Sequence, residues 1–281
     1  MELSAFAARR AAFRKLHESG CFVIPNPWNP GSALYLQHLG FPALATTSAG
    51  FALSLGRPDA EWAVPLDTAL AHISELVNAT PLPVNADFES GYAHHPEDVA
   101  RNVRLCVETG VAGLSIEDAT GDSARPLYEF PLAVERIRAA RAAIDASLAP
   151  VLLTARAECF LVGHEKPLEE SIRRLQAYAE AGADVLYAPG PRAADDIRAI
   201  VAAVHPKPVN LLMGSHTGLT VSGAAELGVR RISVGSALAR AAFTAFLHAA
   251  SSIAEHGSFQ PFEGLVSLAE LNNFFRNQAK H

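Results

Sequence analysis

The chain has 281 residues, 29 of them acidic and 23 basic, for a formal net charge of −6. That balance gives no electrostatic reason to bind nucleic acid or an anionic membrane. The three cysteines, Cys21, Cys106 and Cys159, have no metal-type spacing, and an odd count argues against a disulfide framework. The first residues show no signal-like apolar stretch, and no run reaches the roughly 18 apolar residues that span a membrane. A cytoplasmic protein is the expectation.

In chain order, a helix is expected over 3–18, ahead of the first strand. Eight short buried strands follow, at about 22–26, 43–48, 83–89, 113–118, 151–157, 184–189, 207–213 and 231–235. Helical patterns lie between them. In 97–109, Val99, Val103, Cys106 and Val107 form one apolar face, and the helix near 167–181 opens with Pro167 and two acids. Gly40, Gly110, Gly182 and Gly228 each close a helix just before a strand, as left-handed C′ residues do. Strands alternating with helices imply a parallel sheet, and eight such units imply a closed (β/α)8 TIM barrel with its active site at the strand C-termini. A doubly wound sheet is the runner-up, but no Gly-x-Gly-x-x-Gly follows the first strand. One domain is expected over 1–281, with the barrel at about 20–256 and a C-terminal helical extension at about 257–281. In that extension Leu265, Leu268, Leu271, Phe274 and Phe275 make an apolar face that needs a cover, for which a partner subunit is the expected source.

The chemistry-bearing residues fall where three of these strands stop. Asp87 and Glu89 end the third, two residues apart and so expected to point the same way. Glu117 and Asp118 end the fourth, and Arg156 ends the fifth. Converging carboxylates without Cys or His favour Mg²⁺ or Mn²⁺ over zinc, and such an ion keeps waters, so one or two carboxylates suffice as direct ligands. Arg156 offers bidentate recognition of a carboxylate or phosphonate. Ser48, Ala49 and Gly50 follow the second strand, where small residues let backbone N–H groups approach a carboxylate or enolate oxygen. Asp59 lies in a turn-rich loop and is either an outer-shell acid or a helix cap. His216, after the seventh strand, is a candidate substrate contact. His94 and His95 are loop histidines, and Ser236 is an N-cap or an anion contact. Cys159 reads as core packing rather than a nucleophile.

Taken together, Asn26-Pro-Trp-Asn-Pro-Gly-Ser-Ala, the stretch Thr47 to Asp59, Asn85-Ala-Asp-Phe-Glu-Ser-Gly-Tyr, Gly113-Leu-Ser-Ile-Glu-Asp, Thr154-Ala-Arg and Gly228-Val-Arg-Arg-Ile-Ser-Val-Gly-Ser resemble the isocitrate lyase/phosphoenolpyruvate mutase superfamily over nearly the whole chain. The resemblance implies a barrel whose terminal helices are exchanged between subunits, usually in a homotetramer. It implies that Trp28 packs near the substrate and that Ser48, Ala49 and Gly50 hold its oxo-acid end. Asp59, Asp87, Glu89 and Glu117 would serve the Mg²⁺, with Asp87 in direct contact, and Arg156 would grip the substrate. Reactions of this type make or break a C–C or C–P bond next to a 2-oxo acid through a pyruvate-type enolate.

Two departures sharpen the expectation. Residues 118–129 stand where the lyases carry a Cys-bearing gating motif, yet hold no Cys, Lys or His, and the Asn and Lys of the mutase loop are absent too. Asn29 stands where many relatives have Asp. The leading reading is a Mg²⁺-dependent lyase that cleaves or decarboxylates a 2-oxo or 2-hydroxy dicarboxylate such as oxaloacetate. The alternatives are a phosphonopyruvate-type mutase or C–P hydrolase, and a non-catalytic 2-oxo acid binder.

Overall fold

The computed structural model describes residues 2–278. Eight parallel strands form a barrel: β1 Phe22–Ile24, β2 Leu44–Ala45, β3 Val84–Asp87, β4 Gly113–Glu117, β5 Leu152–Arg156, β6 Val185–Tyr187, β7 Val209–Leu212 and β8 Arg231–Ser233. Every expected strand is present, trimmed at its ends. The hydrogen-bonded ladder runs β1-β8-β7-β6-β5-β4-β3-β2. The β1–β2 seam has no full ladder. The Ala45 N–H donates to the Pro25 carbonyl at 3.0 Å, and Asn26 Nδ2 donates to the Thr46 carbonyl at 2.8 Å. Asn26 Oδ1 also accepts from the Val234 and Gly235 N–H groups, both at 2.9 Å, so one buried side chain ties β1 to the ends of β2 and β8.

The helices are α1 Glu2–Leu16, α2 Pro30–His38, α3 Ser48–Ser54, α4 Leu66–Ala79, α5 Pro96–Glu108, α6 Phe130–Ala146, α7 Pro167–Glu180, α8 Ala194–Val204, α9 Val221–Glu226, α10 Ala237–His256 and α11 Leu268–Gln278. The four glycines expected as C′ residues have φ of 82°, 91°, 103° and 88°, a conformation that costs glycine no Cβ clash. Most of the core lies between strands and helices, where Val99, Val103 and Cys106 of α5 are fully buried as their periodicity implied. The barrel's own interior is polar, with Asn26, Asn85, Thr154, Asn210 and Arg231 all buried.

α1 plugs the barrel's lower end. Phe13 is fully buried, and a Cβ at Gly113 would stand 2.7 Å from its ring, so only glycine lets the plug seat. With the base closed, the strand C-termini form the barrel's functional mouth.

α10 begins as the barrel's eighth helix but buries only Ala239 fully, leaving Phe243, Phe246 and Leu247 exposed. Contrary to the sequence reading, it is long and apolar enough, by length and composition alone, to cross a membrane. Its apolar residues are left facing outward, while Arg240, Thr244, His248, Ser252 and Glu255 form a polar stripe along the same helix. α11 differs in part from expectation. Phe274 packs on Tyr35 and His38 of α2, at ring distances of 5.4 and 5.2 Å, within the same chain. Leu265, Leu268 and Leu271 stay exposed.

Candidate active site

β3, β4 and β5 bring Asp87, Glu117 and Arg156 to the mouth in adjacent register. Glu117 pairs directly across from Arg156, and Asp87 pairs with Ser115 on β4. Arg156 Nη1 lies 3.0 Å from Glu117 Oε2 and 3.6 Å from Asp87 Oδ1. Its Nε donates to Glu158, and its guanidinium sits 5.2 Å from the Tyr187 ring centre. Among the described residues its Nη2 makes no hydrogen bond. Three carboxylates therefore face one guanidinium with a donor to spare. Burial, with repulsion from Glu158 and Asp87, raises Glu117 well above the usual carboxylate range, although Arg156 opposes the shift. Burial alone would lower Arg156, but the surrounding carboxylates outweigh it and hold the cation.

Asp87 is aimed by its neighbours. Its Oδ2 accepts from the Ser48 N–H at 2.9 Å and from the Ser48 hydroxyl at 2.8 Å, while Thr46 Oγ1 accepts from the Asp87 N–H at 2.8 Å. Ser48, Ala49 and Gly50 form the first turn of α3 rather than a free loop. The Gly50 N–H is spent on the Thr47 hydroxyl at 3.1 Å, and Ser48 serves Asp87. Of the three, the Ala49 N–H alone has no partner among the described residues, so the expected backbone grip reduces to one donor.

Several site residues are placed differently from expectation. Glu89 does not share a strand face with Asp87, because β3 stops at Asp87 and Glu89 turns into the left-handed region at φ 46°. The alternation that would align the two ends with the strand. Glu89 accepts from the Trp62 N–H at 2.9 Å and the Tyr92 hydroxyl at 2.7 Å, and burial pushes it up to about 7 despite those bonds. Asp59 is exposed on the loop above the mouth. Partial burial of its carboxyl and the Asp87 charge raise it, and Arg156 counters. His216 is exposed and takes no part in the cavity wall, although Gly214, Ser215 and Thr217 beside it line a neighbouring groove of ≈ 370 Å³. Trp28 is half-buried at the start of α2, its N–H on the Ser32 hydroxyl at 3.1 Å, away from the cavity lining. Asp118, at the same strand end as Glu117, is a fastener. It accepts from the Glu158 N–H, Arg174 and the Tyr178 hydroxyl at 2.8, 3.1 and 2.6 Å. Cys159 is fully buried and raised to about 11 by that burial, which fits packing.

Sequence reasoning passed over Glu158 and Tyr187. The signal for Glu158 was its i,i+2 spacing from Arg156, and for Tyr187 its place at the end of β6. Both bear on Arg156, and Tyr187 lines the cavity.

The donor set suits a hard cation, since Asp87 and Glu117 supply carboxylate oxygens and Glu117 keeps Oε1 outside its ion pair. Among the described residues no three His, Cys, Asp or Glu side chains gather as a ligand cage. The fit is therefore to an ion held by one or two carboxylates that retains most of its water, with Glu89 and Asp59 behind and above rather than in contact. The mouth leads into a cavity of ≈ 50 Å³ whose wall includes Thr46, Asp87, Arg156 and Tyr187.

A closed-base (β/α)8 barrel with carboxylates and one arginine at its strand C-termini has the architecture of an enzyme of the barrel class. Residues 13–254 match the family model described as phosphoenolpyruvate phosphomutase, and the chain belongs to that family. A candidate lyase/mutase from Burkholderia cenocepacia J2315 has 48% identical sequence over 97% of both chains and superposes with a TM-score of 0.92. The 2-methylisocitrate lyase of Escherichia coli K12 is 34% identical over 57% of this chain and 54% of its own length. The oxaloacetate decarboxylase of Bradyrhizobium diazoefficiens is 29% identical over 72% of this chain and 70% of its own. The superfamily resemblance is thereby shown, and its members include lyases and mutases.

Proposed function

We propose that this chain is a Mg²⁺-dependent lyase acting on a small 2-oxo or 2-hydroxy dicarboxylate, breaking a C–C bond or decarboxylating through a pyruvate-like enolate. One observation carries the reading: Arg156, whose Nη1 faces both Glu117 and Asp87 and whose Nε donates to Glu158, makes no hydrogen bond through Nη2. A free guanidinium nitrogen next to a carboxylate pair is built to take a substrate carboxylate and to share its charge.

Mg²⁺ or Mn²⁺, held by Asp87 with Glu117 in reach, would supply the electron sink at the substrate's 2-oxo oxygen. The chain's own residues do the rest. Ser48 locks the Asp87 carboxylate in one orientation, the Ala49 N–H faces the oxo-acid end, and Arg156 fixes the carboxylate. In a decarboxylation the bonding pair of the departing carboxylate moves into the C2–C3 bond, CO₂ leaves, and the enolate then takes a proton from water or from the Tyr187 hydroxyl. This route needs no acid from the loop after β4. That loop is a short turn closed by a bridge between Ala119 and Leu127, and it carries no Cys, Lys or His. The exposed apolar face of α10 supports a homo-oligomer, with a tetramer of exchanged helices as the assembly we propose.

A phosphonopyruvate mutase is the second reading, supported by the reaction that names the family model. The test is a panel of oxaloacetate, other 2-oxo acids, isocitrate, 2-methylisocitrate and phosphonopyruvate with Mg²⁺, followed for pyruvate and CO₂, for glyoxylate and succinate, and for phosphoenolpyruvate. Oxaloacetate turnover with little isocitrate cleavage is expected. Isocitrate turnover at an ordinary enzyme rate, about 1–1000 s⁻¹, would refute the acid-free route, and phosphonopyruvate rearrangement alone would establish the second reading.

A further inference from the structure

Below Arg156 lies a second arginine that the proposed reaction does not use. Arg231, at the start of β8, is 3% exposed and points into the barrel. Its Nε donates to Asn210 Oδ1 at 2.7 Å and its Nη2 to Thr154 Oγ1 at 3.0 Å. Its Nη1 approaches His17 Nε2 at 3.3 Å, and His17 Nδ1 lies 2.8 Å from the Phe13 carbonyl. That carbonyl must receive the ring's proton, so Nε2 is the lone-pair side and His17 is neutral. All three partners are uncharged. Among the described residues no carboxylate forms an ion pair with Arg231, whereas Arg156 has three within 4.0 Å.

A buried cation without a counter-charge is costly, and chains usually supply an acid beside it. The donors around this one are also underused. A guanidinium has five N–H bonds, and three are spent. The Thr154 hydroxyl accepts from Arg231, which leaves its own proton free, and Ser233 Oγ accepts from Asn210 Nδ2 at 2.9 Å. Arg231, Ser233 and Asn210 line the same ≈ 50 Å³ cavity that opens at Asp87 and Arg156. That space holds one or two particles of water size, given about 30 Å³ for a water in the liquid. The opposite wall carries one acceptor, Asn85 Oδ1, buried and without a partner, which a water in the same chamber would serve.

We infer that the floor of the barrel is a binding site for a small inorganic monovalent anion of chloride size, held by the two free N–H bonds of Arg231 where it lines the cavity beside Asn210 and Ser233. The site neutralises Arg231 beneath the catalytic mouth. Burial lowers the Arg231 guanidinium to about 10, the direction an unneutralised buried cation shows. The inference does not depend on which substrate the mouth accepts.

The test uses the full-length protein without substrate. Crystals soaked in bromide should show an anomalous peak against Arg231 Nη1 or Nη2 in wild type. Thermal unfolding in 0.2 M chloride should exceed that in 0.2 M gluconate, at equal ionic strength, by about 2 °C or more. In Arg231→Met the peak and the halide-specific shift should both vanish. Wild-type crystals carry the decision if that variant fails to fold. A chamber containing waters only in bromide-soaked wild type, with equal melting in the two salts, would overturn the site. So would a bromide found only on the outer surface.

Discussion

Arg156→Lys is the most revealing perturbation of the mouth. In the wild type one guanidinium reaches Glu117 at 3.0 Å, donates to Glu158 through Nε, and leaves Nη2 for a substrate. A lysine carries a single nitrogen at the end of a flexible stem, so it can serve Glu117 or Glu158 but not both, and it has no second prong for a carboxylate. Losing one charge-assisted hydrogen bond costs roughly 1.5–3 kcal/mol, which is about tenfold to a hundredfold in affinity. Calorimetry with oxalate or pyruvate in saturating Mg²⁺ should show that loss, while Mg²⁺ binding without the oxo acid changes far less. The variant's own stability should fall less than the full cost of an unpaired buried charge. Glu158 is already raised by burial and can take up a proton once Arg156 no longer opposes the shift. Unchanged oxalate affinity would make Arg156 a structural pin and would displace the substrate from the position assigned to it.

Asp87→Ala should abolish turnover, because it removes the carboxylate that Ser48 orients; full activity after exhaustive chelation would contradict metal dependence altogether. Burial holds His17 at about 3 and His72 at about 4, below the ordinary 6.5, so both are neutral in the folded chain. As pH falls below about 6.5 the unfolded chain takes up protons first, and stability should drop steadily between pH 6.5 and 4 by about 3 kcal/mol at most from His72. Urea unfolding of wild type and His72→Gln at pH 7.5 and 5 reads this, and an identical pH slope in the two would remove His72 from the account. Gly113→Ala would place a Cβ 2.6 Å from Asn85 Oδ1 and 2.7 Å from the Phe13 ring, so it should destabilise by about 1–3 kcal/mol; an unshifted melting temperature would mean the α1 plug is loose. Light scattering at micromolar concentration should find an oligomer, and truncation after Gly257 should give dissociated or insoluble protein, whereas a soluble wild-type monomer would refute the assembly.

The sequence by itself determined the barrel. Its signals are local: apolar runs of strand length, amphipathic stretches between them, and glycines at helix ends whose positive φ the structure shows at 40, 110, 182 and 228. It also placed Asp87, Glu117 and Arg156 at one end, because a strand that stops in charge stops at the same face as its parallel neighbours. Only the tertiary structure separated Glu89 from Asp87, since the end of β3 and a left-handed turn are not written in residue spacing. Only it made Asp118 a fastener, through Arg174 and Tyr178, which lie 56 and 60 residues away. Glu158 gained its role as the second clasp on Arg156 in the same way. The polar floor under the mouth was hidden for a related reason. Thr154, Asn210 and Arg231 sit on three different strands and become one hydrogen-bonded cluster when the barrel closes. Pattern along a chain reports which face a residue takes, whereas the partners of a buried charge are set by closure, which brings distant strands within hydrogen-bonding reach.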